Sequence, residues 1–173
     1  MPSFDIQSSF DKQEVTNAVD QAQREISTRY DFKGTQTFVE FKDSNIQIIS
    51  STADRLQAAN QVLIEKLIKR NESAKILSNF SDSKDSKSNI KRTYTLISGI
   101  SQEDAKKLVK NIKEFNKKIQ ASIQGPIVRI SSKKKDDLQQ VIAFIKEMNL
   151  DYPLKFINFK DWLNFIMIPR YIF

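Results

Sequence analysis

The 173-residue chain contains no cysteine, no histidine and only 3 glycines. Without cysteine there can be no disulfide, thiol nucleophile or thiolate metal site. Without histidine, imidazole ligation of zinc or haem and histidine acid–base catalysis also fall away. The glycines, Gly34, Gly99 and Gly125, stand far apart, so neither a G-x-x-x-x-G-K-[ST] nor a G-x-G-x-x-G phosphate loop exists. No run of about 20 apolar residues occurs, so no membrane-spanning helix is expected. The first ten residues have neither a basic stretch nor an apolar one of the secretory kind, and with no disulfides the expected location is the cytoplasm.

What is present is globular in composition: 39% of residues are apolar and 28% charged. Lys and Arg number 28 against 21 Asp and Glu, for a net charge of +7. The surplus is one-sided. Residues 1–88 carry 12 cations and 13 anions, whereas residues 89–173 carry 16 and 8. A basic half beside a neutral one points to an anionic partner, a nucleic acid or nucleotide. The plainer reading is a lysine-rich solvated surface, since 21 of the 28 cations are Lys.

Periodicity gives an order of elements that repeats. A strand at 3–7 precedes a helix opened by Asp11 with Glu14 three residues on, whose buried stripe is Val15, Ala18, Val19, Ala22 and Ile26. Strands at 37–42 and 46–50 flank Asp43-Ser44 as a hairpin. Ser51 and Asp54 are expected to start a second helix reaching Arg70, with Leu56, Ala59, Leu63 and Leu67 on one face. Residues 71–89, rich in Ser and charge, read as a solvated loop or linker. The pattern then resumes with a strand at 90–98 and a helix capped by Ser101 and Asp104. Its expected buried stripe is Ala105, Leu108, Val109, Ile112 and Phe115. A hairpin turning at Gly125-Pro126, a helix carrying Leu138, Val141, Ile142, Ile145 and Met148, and a strand at 154–159 follow. The chain is thus βαββα, a linker, then βαββαβ. The expected fold class is α+β, with two ferredoxin-like βαββαβ domains, each a four-stranded antiparallel sheet carrying two helices on one face. The first half lacks a sixth element.

Several blocks resemble a known family. Met1-Pro2-Ser3-Phe4-Asp5-Ile6, Asn17-Ala18-Val19-Asp20 and Glu25-Ile26-Ser27-Thr28-Arg29-Tyr30-Asp31-Phe32-Lys33-Gly34 are similar to signatures of the YajQ family of bacterial nucleotide-binding proteins. So are Ser98-Gly99-Ile100, Ile123-Gln124-Gly125, Lys133-Lys134-Lys135-Asp136-Asp137-Leu138-Gln139, Pro153-Leu154 and Asn158-Phe159-Lys160-Asp161. The resemblance implies exchange of the domains' first strands. The first domain is then 10–99, using the strand at 90–98, and the second, basic domain is 1–9 plus 100–161. It also implies a non-catalytic protein without a cofactor that binds purine nucleotides, cyclic di-GMP or RNA such as tRNA. Pro126 and the extension 162–173 depart from the family pattern.

The candidate ligand contacts are all cationic. Lys106, Lys110, Lys113 and Lys117 recur at helical spacing along one face, opposite the buried stripe, with partial compensation from Glu103 and Glu114. They form either a phosphate-tracking stripe or a solvated face. Lys133, Lys134 and Lys135 precede a helix opening near Asp136, where cations oppose the helix dipole and a bound phosphate would relieve the conflict. Asp136 and Asp137 are the alternative occupants. Arg129 is placed on the open face of the second sheet with Lys118, Gln120, Ser122, Gln124 and Ser131. Around Arg29 and Lys33, also ligand candidates, Tyr30 and Phe32 could stack a base, but packing is the favoured reading: Tyr30 continues the stripe from Ile26. No aromatic RNA-recognition block exists, and Phe38 is the one outward aromatic on the first sheet. Residues 162–173 are apolar enough to cover a sheet, mediate self-association or lie on a membrane surface. A regulatory scaffold contacting a protein partner is the alternative function.

Overall fold

Helix starts follow side chains that can satisfy free N–H groups. The Asp11 carboxylate accepts from the N–H groups of Gln13 at 2.9 Å and Glu14 at 3.2 Å, and the Ser101 hydroxyl accepts from the Asp104 N–H at 3.1 Å. The computed structural model describes residues 1–162; the expectations for the tail after Trp162 lie outside the described residues. Its first half contains β1 (Ser3–Gln7), α1 (Lys12–Thr28), β2 (Phe38–Lys42), β3 (Asn45–Ser50), α2 (Ala53–Lys69) and β4 (Phe80–Lys84). The second contains β5 (Ile90–Thr95), α3 (Gln102–Phe115), β6 (Gln120–Gln124), β7 (Ile127–Ser131), α4 (Lys135–Glu147) and β8 (Lys155–Lys160). The start of α2 corrects one expectation: its cap is Thr52, whose hydroxyl accepts from the Arg55 N–H at 3.3 Å, and not Ser51.

The strands form two four-stranded antiparallel sheets, ordered β6-β7-β1-β8 and β2-β3-β5-β4. The sheet β6-β7-β1-β8 takes β1 from the far end of the chain, whereas β2-β3-β5-β4 is built from one continuous stretch. β1 pairs with β7 and β8, whereas β5, which leads into α3, pairs with β3 and β4. The chain divides accordingly into a unit made of residues 10–97 and a unit made of Met1–Ser9 with the chain from Ser98 onward. Within the latter, the Gly99 N–H donates to the Ser8 carbonyl at 2.7 Å, so the chain leaves and re-enters this unit at one place. Both units are ferredoxin-like, with the exchanged strand in an inner position where both edges are hydrogen-bonded.

Each sheet has its own core. In the unit containing β1, Phe4 and Ile6 are fully buried against Leu108, Ile112, Val128, Ile130, Leu138 and Val141. At about 1.5–3 kcal/mol for each such side chain, the two fasten the exchanged strand. In the 10–97 unit, Val15, Ala18 and Ala22 of α1 and Leu56, Leu63 and Leu67 of α2 cover Val39, Ile46, Ile48 and Tyr94. The Tyr94 hydroxyl donates to the Asn60 side-chain oxygen, satisfying both polar groups inside that core.

The reading of 71–89 as a linker is corrected. Ala74–Leu77 form a 3-10 turn that buries Ile76 and Leu77, and β4 pairs with β5 along its whole length. All five residues of β4 are exposed, so no apolar alternation marks it in the sequence. Main-chain pairing holds it, reinforced by Arg92, which bonds Asp82 at 2.7 and 2.8 Å and lies 4.6 Å over the Phe80 ring. The sheet that seemed one strand short is therefore completed by β4 as well as by β5. Phe115, expected in a buried stripe, is 44% exposed and stacks on Phe144 at 4.2 Å. Trp162 closes the other core, its indole N–H donating to the Ser3 carbonyl at 3.1 Å and its ring edge-on to Phe159.

Candidate anion-binding site

On α3, Ala105, Leu108 and Ile112 face the core, and the flank of the helix lies along the edge strand β6. Along that flank runs an open groove of about 430 Å³. Lys106, Lys110, Lys113 and Lys117 line it together with Glu114, while Val109 of α3 and Ile123 of β6 contribute its apolar surface. The structure therefore brings all four spaced lysines to one place. Two details differ from expectation: Lys117 belongs to the turn after α3, and the stripe lies beside the buried face, with half-buried Val109 between them, rather than opposite it.

The groove's charge is largely uncompensated. Lys110 approaches Glu114 at 3.9 Å with both side chains mostly exposed, a contact worth little in water. Lys106, Lys113 and Lys117 have no ion pair among the described residues. Lys107, one position off the stripe, is engaged with Glu103 at 2.6 Å, which raises its pKa.

Arg129 is differently placed. It faces its register partner Asp5 across β1 and β7, with Nε and a terminal nitrogen 2.8 and 3.0 Å from the two carboxylate oxygens. Asn158, at an irregularity of β8, donates to the same carboxylate at 2.9 Å. Asp5 is 1% exposed. The hydrogen bonds from Arg129 hold its carboxyl below the usual range despite burial acting the other way, with a further lowering from Asn158. This fork joins the exchanged strand to its host sheet, and it engages the guanidinium that was a candidate ligand contact.

Lys133 and Lys134 are exposed ahead of α4, and Lys135 begins the helix. Asp137, from the first turn, accepts from the Ser132 hydroxyl at 3.2 Å and the Asn116 amide at 3.5 Å. The Ser132 hydroxyl in turn accepts from the Lys134 N–H at 3.3 Å. The first turn thus carries its own carboxylates, Asp136 and Asp137, of the sign the dipole favours, although no side chain caps its N–H groups. None of these three lysines lines the groove.

In the 10–97 unit, Arg29 bonds Asp31 at 3.0 and 2.7 Å and lies 5.0 Å from the centre of the Phe32 ring, while Lys33 is exposed. Phe32 is buried as expected, but Tyr30 is 88% exposed, correcting the reading that it packs. The helix stripe stops because Arg29 leaves helical geometry, with φ −71° and ψ 132°, so Tyr30 is rotated off the core face. Among the described residues no group of three or more carboxylates could hold a metal ion. No helix among them is long and apolar enough to cross a membrane.

Two strand-exchanged ferredoxin-like units, one with a lysine-walled groove along a sheet edge, define the class: a tandem α+β protein with a cationic face. The family model described as nucleotide-binding protein YajQ-like matches residues 2–160, and the chain belongs to this family. A nucleotide-binding protein of Thermobifida fusca is 48% identical over 160 residues, covering 91% of this chain and 97% of that protein. Nucleotide-binding proteins of Mycolicibacterium vanbaalenii and Picosynechococcus are 47% and 44% identical, also over 91% of this chain and over 98% and 97% of their own lengths.

Proposed function

We propose that the protein binds a nucleotide ligand without transforming it, and that the α3–β6 groove receives the ligand's phosphates. The observation that carries this reading is the convergence of Lys106, Lys110, Lys113 and Lys117 on one groove with only a 3.9 Å contact to Glu114 opposing them. Lys106 and Lys113 stand seven positions apart on α3, about 10 Å at helical rise, and Lys117 extends the row beyond the helix end, a span that suits more than one phosphate. A nucleoside triphosphate, a cyclic dinucleotide such as cyclic di-GMP, or an RNA strand has that spacing of charge. The apolar surface of Val109 and Ile123 offers a base something to rest on, and the volume falls within the usual range for small-ligand sites. Among the described residues no aromatic lines the groove, which supports phosphate-led recognition rather than a sequence readout.

The test is titration of GTP, cyclic di-GMP and tRNA at two salt concentrations by calorimetry, with the double charge reversal Lys106→Glu/Lys110→Glu alongside. Saturable binding at low salt, weakened at least tenfold by the reversal, is the expected result. Affinity for tRNA that falls steeply with salt while GTP and cyclic di-GMP fail to bind would assign the groove to polyanions. No saturable binding to any of the three would overturn the reading.

A further inference from the structure

The two units repeat the same parts, and one side chain differs where the repeat matters. Gln23 lies twelve residues after the cap of α1, and Lys113 twelve residues after the cap of α3. Val39 lies three residues before the end of β2, and Ala121 three before the end of β6. Val39 is opposite Ile48, and Ala121 is opposite Ile130. In an antiparallel pair every second residue turns its N–H away from its neighbour. Val39 does so, since its N–H donates at 2.7 Å to the side-chain oxygen of Gln23. In the 10–97 unit the helix thus caps the free edge of its own sheet.

In the other unit this cap is missing. Lys113 has three donors and no acceptor, so it cannot take the Ala121 N–H as Gln23 takes that of Val39. Among the described residues no side chain accepts from the Ala121 N–H. Ala121 is only 9% exposed and lies two residues from Ile123, which lines the groove with Lys113. A main-chain donor and an ammonium therefore stand at matching positions with no acceptor among the described residues to serve them. We infer that the Ala121 N–H and the Lys113 ammonium together seat one oxygen of the ligand's phosphate. On this inference the duplicated chain has a single anion seat, because Gln23 fills the corresponding one. It rests on the groove reading and adds to it the atom that orients the phosphate.

Two substitutions of the exposed Lys113 separate this seat from charge alone. Lys113→Met removes the ammonium and leaves the N–H open, whereas Lys113→Gln also supplies the oxygen that closes the edge in the other unit. With GTP as the probe, Lys113→Met is expected to weaken binding by about 3–10-fold, and Lys113→Gln by about a further 10-fold, the effect of one competing hydrogen bond. In amide NMR spectra of the native protein, GTP should move the Ala121 resonance and leave that of Val39 in place, with one GTP bound per chain. Equal weakening by the two substitutions, or an unmoved Ala121 resonance with GTP bound, would overturn the seat and leave the groove standing. No GTP binding by the native protein would overturn this seat outright, and the tRNA and cyclic di-GMP titrations would then decide whether the groove reading falls with it.

Discussion

Asp5 offers the sharpest test of what holds the exchanged strand. Its carboxylate is 1% exposed and accepts three hydrogen bonds, two from Arg129 and one from Asn158. Asp5→Asn keeps the shape but turns one acceptor into a donor, which then faces the donors of Arg129 or Asn158. A hydrogen bond to a charged group contributes about 1.5–3 kcal/mol, but the Arg129 side chain is 35% exposed and can turn to water, so the net loss is about 2 kcal/mol. For a chain of this size that lowers Tm by about 4–8 °C. The assay is urea unfolding at pH 7 followed by circular dichroism, supported by a thermal melt. Arg129→Met should cost more than Asp5→Asn, because it leaves a carboxylate with no route to solvent where the reverse change leaves a cation that can reach it. The pH dependence has a definite sign. The folded Asp5 pKa is depressed below 3.8, so its contribution is present above that value and is lost as pH falls through the lower, folded value. The native protein should therefore converge on Asp5→Asn in stability only in strong acid. A loss below about 0.5 kcal/mol for Asp5→Asn at pH 7 would show that the fork is incidental to the exchange.

Smaller contrasts test the local corrections. Tyr30→Ala should change stability by less than about 0.5 kcal/mol, whereas Phe32→Ala, at 4% exposure, should cost about 3 kcal/mol in the same urea assay. Comparable losses would mean that Tyr30 packs after all. Thr52→Ala should cost about 1 kcal/mol through loss of the α2 cap, while Ser51→Ala should have no measurable effect. The reverse order in thermal melts would return the cap to Ser51.

Much of the fold is legible along the chain because helices and hairpins are local. Asp11 and Ser101 open helices where their side chains can reach the next free N–H groups, and Gly125, at φ +60°, turns a hairpin that Pro126 stiffens. β4 is invisible for the opposite reason: Phe-Ser-Asp-Ser-Lys pairs through its main chain at a sheet edge and buries no apolar face. Tyr30 is misplaced by periodicity because the helix ends at Thr28, two residues before it. The lysine stripe is legible as a spacing, but Val109 and Ile123 as groove walls are not, since they come together only when α3 packs on β6. One signal was present in the sequence: Gln23 and Lys113 stand at equal distances from their caps, and only one of them can accept a hydrogen bond.

The sequence alone determined the composition-level exclusions, the order of the helices and of every strand but β4, the caps at Asp11 and Ser101, and the concentration of cations in the second half. These depend on residue type and on separations of a few positions. Only the tertiary structure decided that Arg129 serves Asp5, that Asp137 occupies the start of α4, and that four lysines share a groove beside an uncapped sheet edge. A charge becomes available to a ligand only when no partner of the protein lies within reach. Such partners can be far along the chain, as Asp5 is from Arg129, and are brought together by strand pairing.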